Sequence, residues 1–147
     1  MTVLVVGVLA IAAAFSSGAI SLRRASRIST AGALADAQVE LYRALTYANI
    51  RLDPASIPNT APYTTDTAYS ASQVTTPSCS GLPPECNASR TATGADGLSY
   101  RVDTYIVYDT PASGRQYKKV TVVVRDSSNT SLMYARAVTT FDQTTGS

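Results

Sequence analysis

The first charged residue in the chain is Arg23, and the stretch 3–15 before it, VLVVGVLAIAAAF, is wholly apolar. No other feature limits the possible folds as much. Counted on to Leu22, the stretch approaches the roughly 20 residues that cross a bilayer as a helix. A helix in the core of a soluble domain keeps a polar face, and this run has none. A secretory signal carries basic residues ahead of its apolar core, and nothing basic precedes Val3. The expectation is a helix retained for the membrane or for burial among other helices.

Helical rhythm continues past the arginines. In SLRRASRISTAGALADAQVELYRALTYANI, the residues Ala31, Leu34, Gln38, Leu41, Leu45 and Ala48 recur at spacings of 3 and 4, one stripe of an amphipathic helix. Arg27, Asp36, Glu40 and Arg43 lie off that stripe, and Glu40 and Arg43 are placed to pair. A residue before proline avoids the helical region, so the helix should stop near Asp53-Pro54. The chain thus predicts one long helix from about residue 2 to about residue 51. Ser16-Ser17-Gly18 interrupts the strong helix formers, and the helix is expected to bend or unwind there.

Composition changes after Arg51. Prolines 54, 58, 62, 77, 83 and 84 and many Ser and Thr residues predict turns, with one short strand around 69–75. Cys79 and Cys86 bracket CSGLPPEC, in which Pro83-Pro84 forbids a helix. A disulfide there is worth roughly 2–3 kcal/mol in the chain-entropy picture. Two free thiols are the alternative, and the preceding membrane-type helix favours the disulfide. Zinc would need two further ligands, and none is evident. Asn87-Ala88-Ser89 and Asn129-Thr130-Ser131 match the N-glycosylation pattern, which short polar segments often do by chance.

The last third alternates as strands do. LSYRVDTYIVYD places Tyr100, Val102, Thr104, Ile106 and Tyr108 on one face. KKVTVVVRD places Val120, Val122 and Val124 together, and SLMYARAVTTF aligns Met133, Ala135, Ala137 and Phe141. The short turns DTPASGR and DSSNT make these runs an antiparallel meander. One face of such a sheet needs cover, and the amphipathic helix supplies it. The fold class is α+β: a long N-terminal helix, membrane-like then amphipathic, on a small antiparallel sheet. Its segments are 1–24, an apolar transmembrane or filament-core helix; 25–53, an amphipathic helix on the sheet; 54–97, a loop region with the disulfide; and 98–147, the meander and tail.

Several function classes lose support. The 147 residues include no histidine, the commonest general base and metal ligand. The ten carboxylates are scattered, and there is no GxGxxG and no phosphate-binding loop. No enzyme, cofactor or metal site is expected. A net charge of +2 does not mark a nucleic-acid binder.

A greasy helix that continues into one docked on an antiparallel sheet resembles the type IV pilins and the related pseudopilins of type II secretion. The resemblance rests on MTVLVVGVLAIAAAF and ALADAQVELYRAL, and the architecture extends it to the whole chain. It implies a prepilin peptidase that removes a basic leader and methylates the new N-terminus, here Met1. One departure stands out: the family usually carries glutamate at mature position five, and this chain has Val5. That loss is typical of some minor or tip subunits. The removed leader would also explain how Arg23, Arg24 and Arg27 escape the positive-inside rule, which read alone puts them in the cytoplasm.

The resemblance implies a structural subunit of an extracellular, pilus-like filament at the cell surface, held in the membrane before assembly. Its partners are copies of itself or related subunits and the assembly machinery, with no small-molecule substrate. Nucleic acid is a partner only of a finished filament surface. Ala10, Ala14 and Gly18 stand at i, i+4 and i+8, with Gly7 on a nearby face, and such small residues let helices pack closely. Arg23, Arg24 and Arg27 are candidates to meet Asp36 or Glu40 of a neighbour. The alternatives are a pseudopilin of a secretion machine, and a bitopic membrane protein with a small β ectodomain.

Overall fold

The computed structural model describes the backbone of residues 2–77, 83–112 and 114–143, and the side chains from residue 18 onward within those ranges. It is an α+β fold: one long helix packed on a four-stranded antiparallel sheet. Helix α1 runs from Thr2 to Arg43, 42 residues, or about 63 Å at the usual rise. The sheet comprises β1 (Ser89–Thr93), β2 (Ser99–Asp109), β3 (Tyr117–Asp126) and β4 (Met133–Phe141), in that spatial order.

The backbone stays helical through Ser16, Ser17 and Gly18, so the break expected there is absent from this chain. Within a helix every backbone donor already has its acceptor, and two serines and a glycine cost too little to open that ladder. The other end differs too. The helix stops at Arg43 rather than near residue 51. Leu45 N–H turns back to the Tyr42 carbonyl, and a 3-10 turn follows over Tyr47–Asn49. The chain leaves the helix so that Ile50 and Leu52 enter the core, where both are buried. Lys118, buried on β3, holds this exit: its ammonium donates to the carbonyls of Tyr47 (2.6 Å) and Ile50 (2.9 Å) and lies over the Tyr47 ring.

The buried stripe of α1 is rotated from the expected one. Ala31, Ala35, Gln38, Val39 and Tyr42 face the sheet, Leu34 and Leu45 are half-buried at its margin, and Leu41 and Ala48 are exposed. Two alanines allow the helix axis to lie close over β3 and β4. Gln38 is fully buried because it is satisfied. It donates to the Pro84 carbonyl (3.0 Å) and accepts from Arg90 Nε (3.1 Å) and Nη2 (2.9 Å). The Tyr42 hydroxyl donates to the Glu85 carbonyl (2.6 Å), and burial pushes that phenol up to about 12.

The three expected strands form the meander. Val102 pairs with Val124, Thr104 with Val122 and Ile106 with Val120, which keeps the apolar sides together under the helix. The sheet gains a fourth strand, β1, joined to β2 by a tight turn in which Gly97 takes φ +74. Gly94 in that turn lies against the helix: a Cβ there would meet Thr30 Cγ2 at 2.3 Å. Around 69–75 there is no strand, only isolated bridges from Gln73 to Val107 and from Thr75 to Leu52. Cys86 is buried and disulfide-bonded; Cys79 lies outside the described residues.

Both faces of the sheet are covered over β2 and β3, while Val138 of β4 stays exposed on the side away from α1. The face away from α1 is closed by the loop segment, in which Tyr63 stacks on Tyr105 with ring centroids 4.4 Å apart. The Tyr63 hydroxyl donates to the Thr104 carbonyl, and the Tyr105 hydroxyl to the Tyr63 carbonyl. Beside them Asp66 accepts from Arg125 and, at 2.7 and 2.8 Å, from Arg136. Arg101 Nε and the Ser89 hydroxyl converge on buried Asp103 at 2.8 and 2.6 Å.

This charge cluster holds the loop layer to the sheet. Asp66→Ala would leave almost fully buried Arg125 with only the longer ion-pair contact to Asp103 (Nε–Oδ2 3.6 Å) and Arg136 without its partner, a loss on the order of 2–3 kcal/mol. Urea unfolding of the full chain in detergent, followed by the near-ultraviolet signal of the stacked tyrosines, checks this.

Candidate assembly helix and its basic collar

Among the described side chains of α1 the first half-buried one is Arg27; those before it, 18–26, are all exposed. Arg27 therefore marks where the head takes hold of the helix. Its Nη1 donates to Asp126 Oδ2 (3.2 Å) at the end of β3 and to the Tyr134 hydroxyl (2.9 Å) on β4. The Tyr134 hydroxyl donates in turn to the same carboxylate oxygen (3.2 Å). An irregularity between Val124 and Arg125 in the β3–β4 pairing brings Tyr134 round to the helix side, where its ring also meets Tyr100 edge-on.

Asp126 is the pivot of this clamp. Its Oδ1 accepts from the Ser128 backbone (2.8 Å) and hydroxyl (2.6 Å) and from the Asn129 backbone (3.1 Å). The Ser128 hydroxyl and N–H, joined by Asn129 and Tyr134, hold its carboxyl at about 2. The hydrogen bond that Arg27 donates to the Tyr134 hydroxyl is likewise the main reason that Arg27 is raised.

The candidate residues are placed as follows. Arg23 and Arg24 are exposed and line a groove between α1 and the β3–β4 turn. Arg27 is committed to Asp126 and Tyr134 within its own chain, so it is not the free inter-subunit charge expected of it. Asp36 and Glu40 are exposed on the side of α1 away from the sheet, and Glu40 pairs with Arg43 as the spacing predicted. Gly18 is exposed, and a Cβ there would meet nothing within 4 Å. The side chains of Gly7, Ala10 and Ala14 and the whole of Met1 lie outside the described residues; the backbone places Ala10, Ala14 and Gly18 along one helix face. Among the described residues no helix is long and apolar enough to cross a membrane. The apolar run 3–15 falls among the side chains that are not described.

Sequence reasoning missed Asp126, Tyr134 and the Asp66–Arg125–Asp103 cluster. Asp126-Ser127-Ser128-Asn129 was legible as a turn, but its tie to a helix residue 99 positions earlier was not. Among the described residues no group of His, Cys, Asp or Glu is placed to hold a metal ion. Comparison with protein-family models, curated proteins and solved structures found no match to the chain.

The sign of the Asp126 shift gives a pH test. A depressed carboxyl contributes stability that is present above the ordinary range near 3.8 and is lost as pH falls through about 2. The clamp should therefore persist below pH 3.8. Carbon-detected titration should find a midpoint near 2 for Asp126, and Ser128→Ala should move it part of the way back, since the backbone donors remain.

Proposed function

We propose that the chain is a structural subunit of a type IV pilus-like filament, assembled through its N-terminal helices. One observation carries the reading: α1 is a single long helix, and its described residues 18–26, before Arg27, are all exposed. The apolar run 3–15 at its start gives such a helix a greasy end in sequence. The resemblance to pilins and pseudopilins, and the absence of any nucleophile–base pair around a histidine, support the same reading.

Before assembly the apolar end resides in the membrane. In the filament it packs against copies of itself. Lipid and neighbouring helices are about equally apolar, so hydrophobic burial gains little and close contact has to supply the difference. The Ala10, Ala14, Gly18 face permits that contact, with Gly7 beside it. The heads, outside, repeat head to tail without closing, as filaments require. Val5, where the family usually has glutamate, weakens a standard major subunit and leaves room for a minor one or a divergent lineage within this reading.

Ala10→Leu and Ala14→Leu add bulk where the helices should meet. Each is expected to reduce the subunit in filaments sheared from cells severalfold while leaving its amount in the membrane unchanged. Normal assembly of both variants would contradict the packing account.

A further inference from the structure

The collar where α1 leaves the head has a chemistry that filament packing does not use. Arg23 and Arg24 face a groove of about 490 Å³ whose other wall is the β3–β4 turn. The groove is apolar as well as basic. Ile20 and Ile28 contribute from the helix, and Leu132 from the turn and Met133 from the start of β4, more than 100 positions away in sequence. These four are 46–68% exposed, a contiguous apolar surface on a side that the head leaves open. The Arg27–Asp126–Tyr134 clamp fixes the turn against the helix, so the two walls are held together.

We propose that this groove seats the head on the membrane by binding the phosphate headgroup of an anionic phospholipid. The proposal rests on the membrane-resident state in the function proposed above. Three observations select the occupant. First, α1 from Thr2 to Leu22 measures about 30 Å, the thickness of a bilayer's hydrocarbon core, so Arg23 and Arg24 come at headgroup level. Second, the charge is unspent. Neither arginine is in an ion pair among the described residues. Of the neighbouring carboxylates, Asp126 is bound to Arg27 and Ser128, and Asp96, which lines a separate pocket with Arg23 and accepts from the Tyr100 hydroxyl, forms no ion pair with it. Guanidinium groups in this position match phosphate oxygens in geometry and charge. Third, Leu132 and Met133 stand beside the arginines, as residues do that enter the headgroup–acyl boundary while basic groups hold the phosphate. The seated head presents its β3–β4 turn to the membrane, and assembly then has to release this contact as well as extract the helix.

The chain contains no tryptophan, so Leu132→Trp gives a single reporter at the turn. The full chain is reconstituted in nanodiscs of phosphatidylcholine alone or with phosphatidylglycerol, each with acyl chains brominated near the headgroup. Quenching of the reporter is expected in the anionic discs, with the equilibrium shifted on the order of tenfold towards the seated head relative to neutral discs. Arg23→Ala/Arg24→Ala, or high salt, should return it to the neutral-disc level. Met133→Trp serves as an independent second reporter. Equal quenching in both disc types, or none in either, overturns the proposal. So does release of the head by millimolar inorganic phosphate, which would make a free anion the ligand. A reporter shift that needs several chains per disc would assign the groove to a second copy and overturn it too. A chain that does not enter the discs at all would remove the membrane reading itself, a failure distinct from the others.

Discussion

The arrangement depends on how α1 is held. Ala31 and Ala35 bring the helix close over β3 and β4, and a bulkier pair would lift it away. Three polar contacts then fix it along its length. Arg27 is clamped to Asp126 and Tyr134 at one end of the sheet, Gln38 is bound to Pro84 and Arg90 in the middle, and Tyr42 is bound to Glu85 beside disulfide-bonded Cys86. Arg27 reaches β3 and β4, Gln38 reaches β1 through Arg90, and Gln38 and Tyr42 share the Pro84–Glu85 segment. The helix is thereby tied to the meander, to β1 and to the loop region at once. Close packing supplies contact without direction; the hydrogen bonds set the register, because each buried polar group would be costly unpaired.

The same grip divides the helix. From Arg27 onward its faces are assigned: one to the sheet, the other to solvent with Asp36 and Glu40. Before Arg27 the described residues 18–26 are exposed, and the sequence ahead of them is apolar. Lipid surrounds that sequence in the proposed resting state, and neighbouring helices surround it in the proposed filament. A head rigidly joined to one end of the helix transmits any pull on it. The loop layer is stapled through Tyr63, Asp66 and Arg125 to the far face of the sheet.

The parts of the fold that follow from local pattern were legible. β2, β3 and β4 alternate strongly, and their turns carry Pro, Gly, Ser and Asn, so the meander could be read directly. β1, Ser89–Thr93, could not: SRTAT is short and polar, and it is a strand because β2 offers it an edge. Leucine spacing misplaced the buried stripe, because the contact with the sheet is made by small alanines and a satisfied glutamine while Leu41 faces solvent. The helix end was misplaced for a similar reason: Ile50 and Leu52 have better burial off the helix than on it. Of the candidate site, the basic cluster was visible as a cluster. That Arg27 is spent inside the head while Arg23 and Arg24 remain open required Asp126 and Tyr134 to be seen beside it.

The central claim is that the apolar start of α1 is retained and becomes part of a surface filament. The mass of the amino-terminal peptide in material sheared from intact cells tests it most directly. The account predicts that the sheared fraction contains this peptide with an N-methylated Met1, joining leader processing and assembly in one result. An unmethylated start, or a peptide confined to the membrane fraction, would contradict the account and leave α1 as a plain anchor.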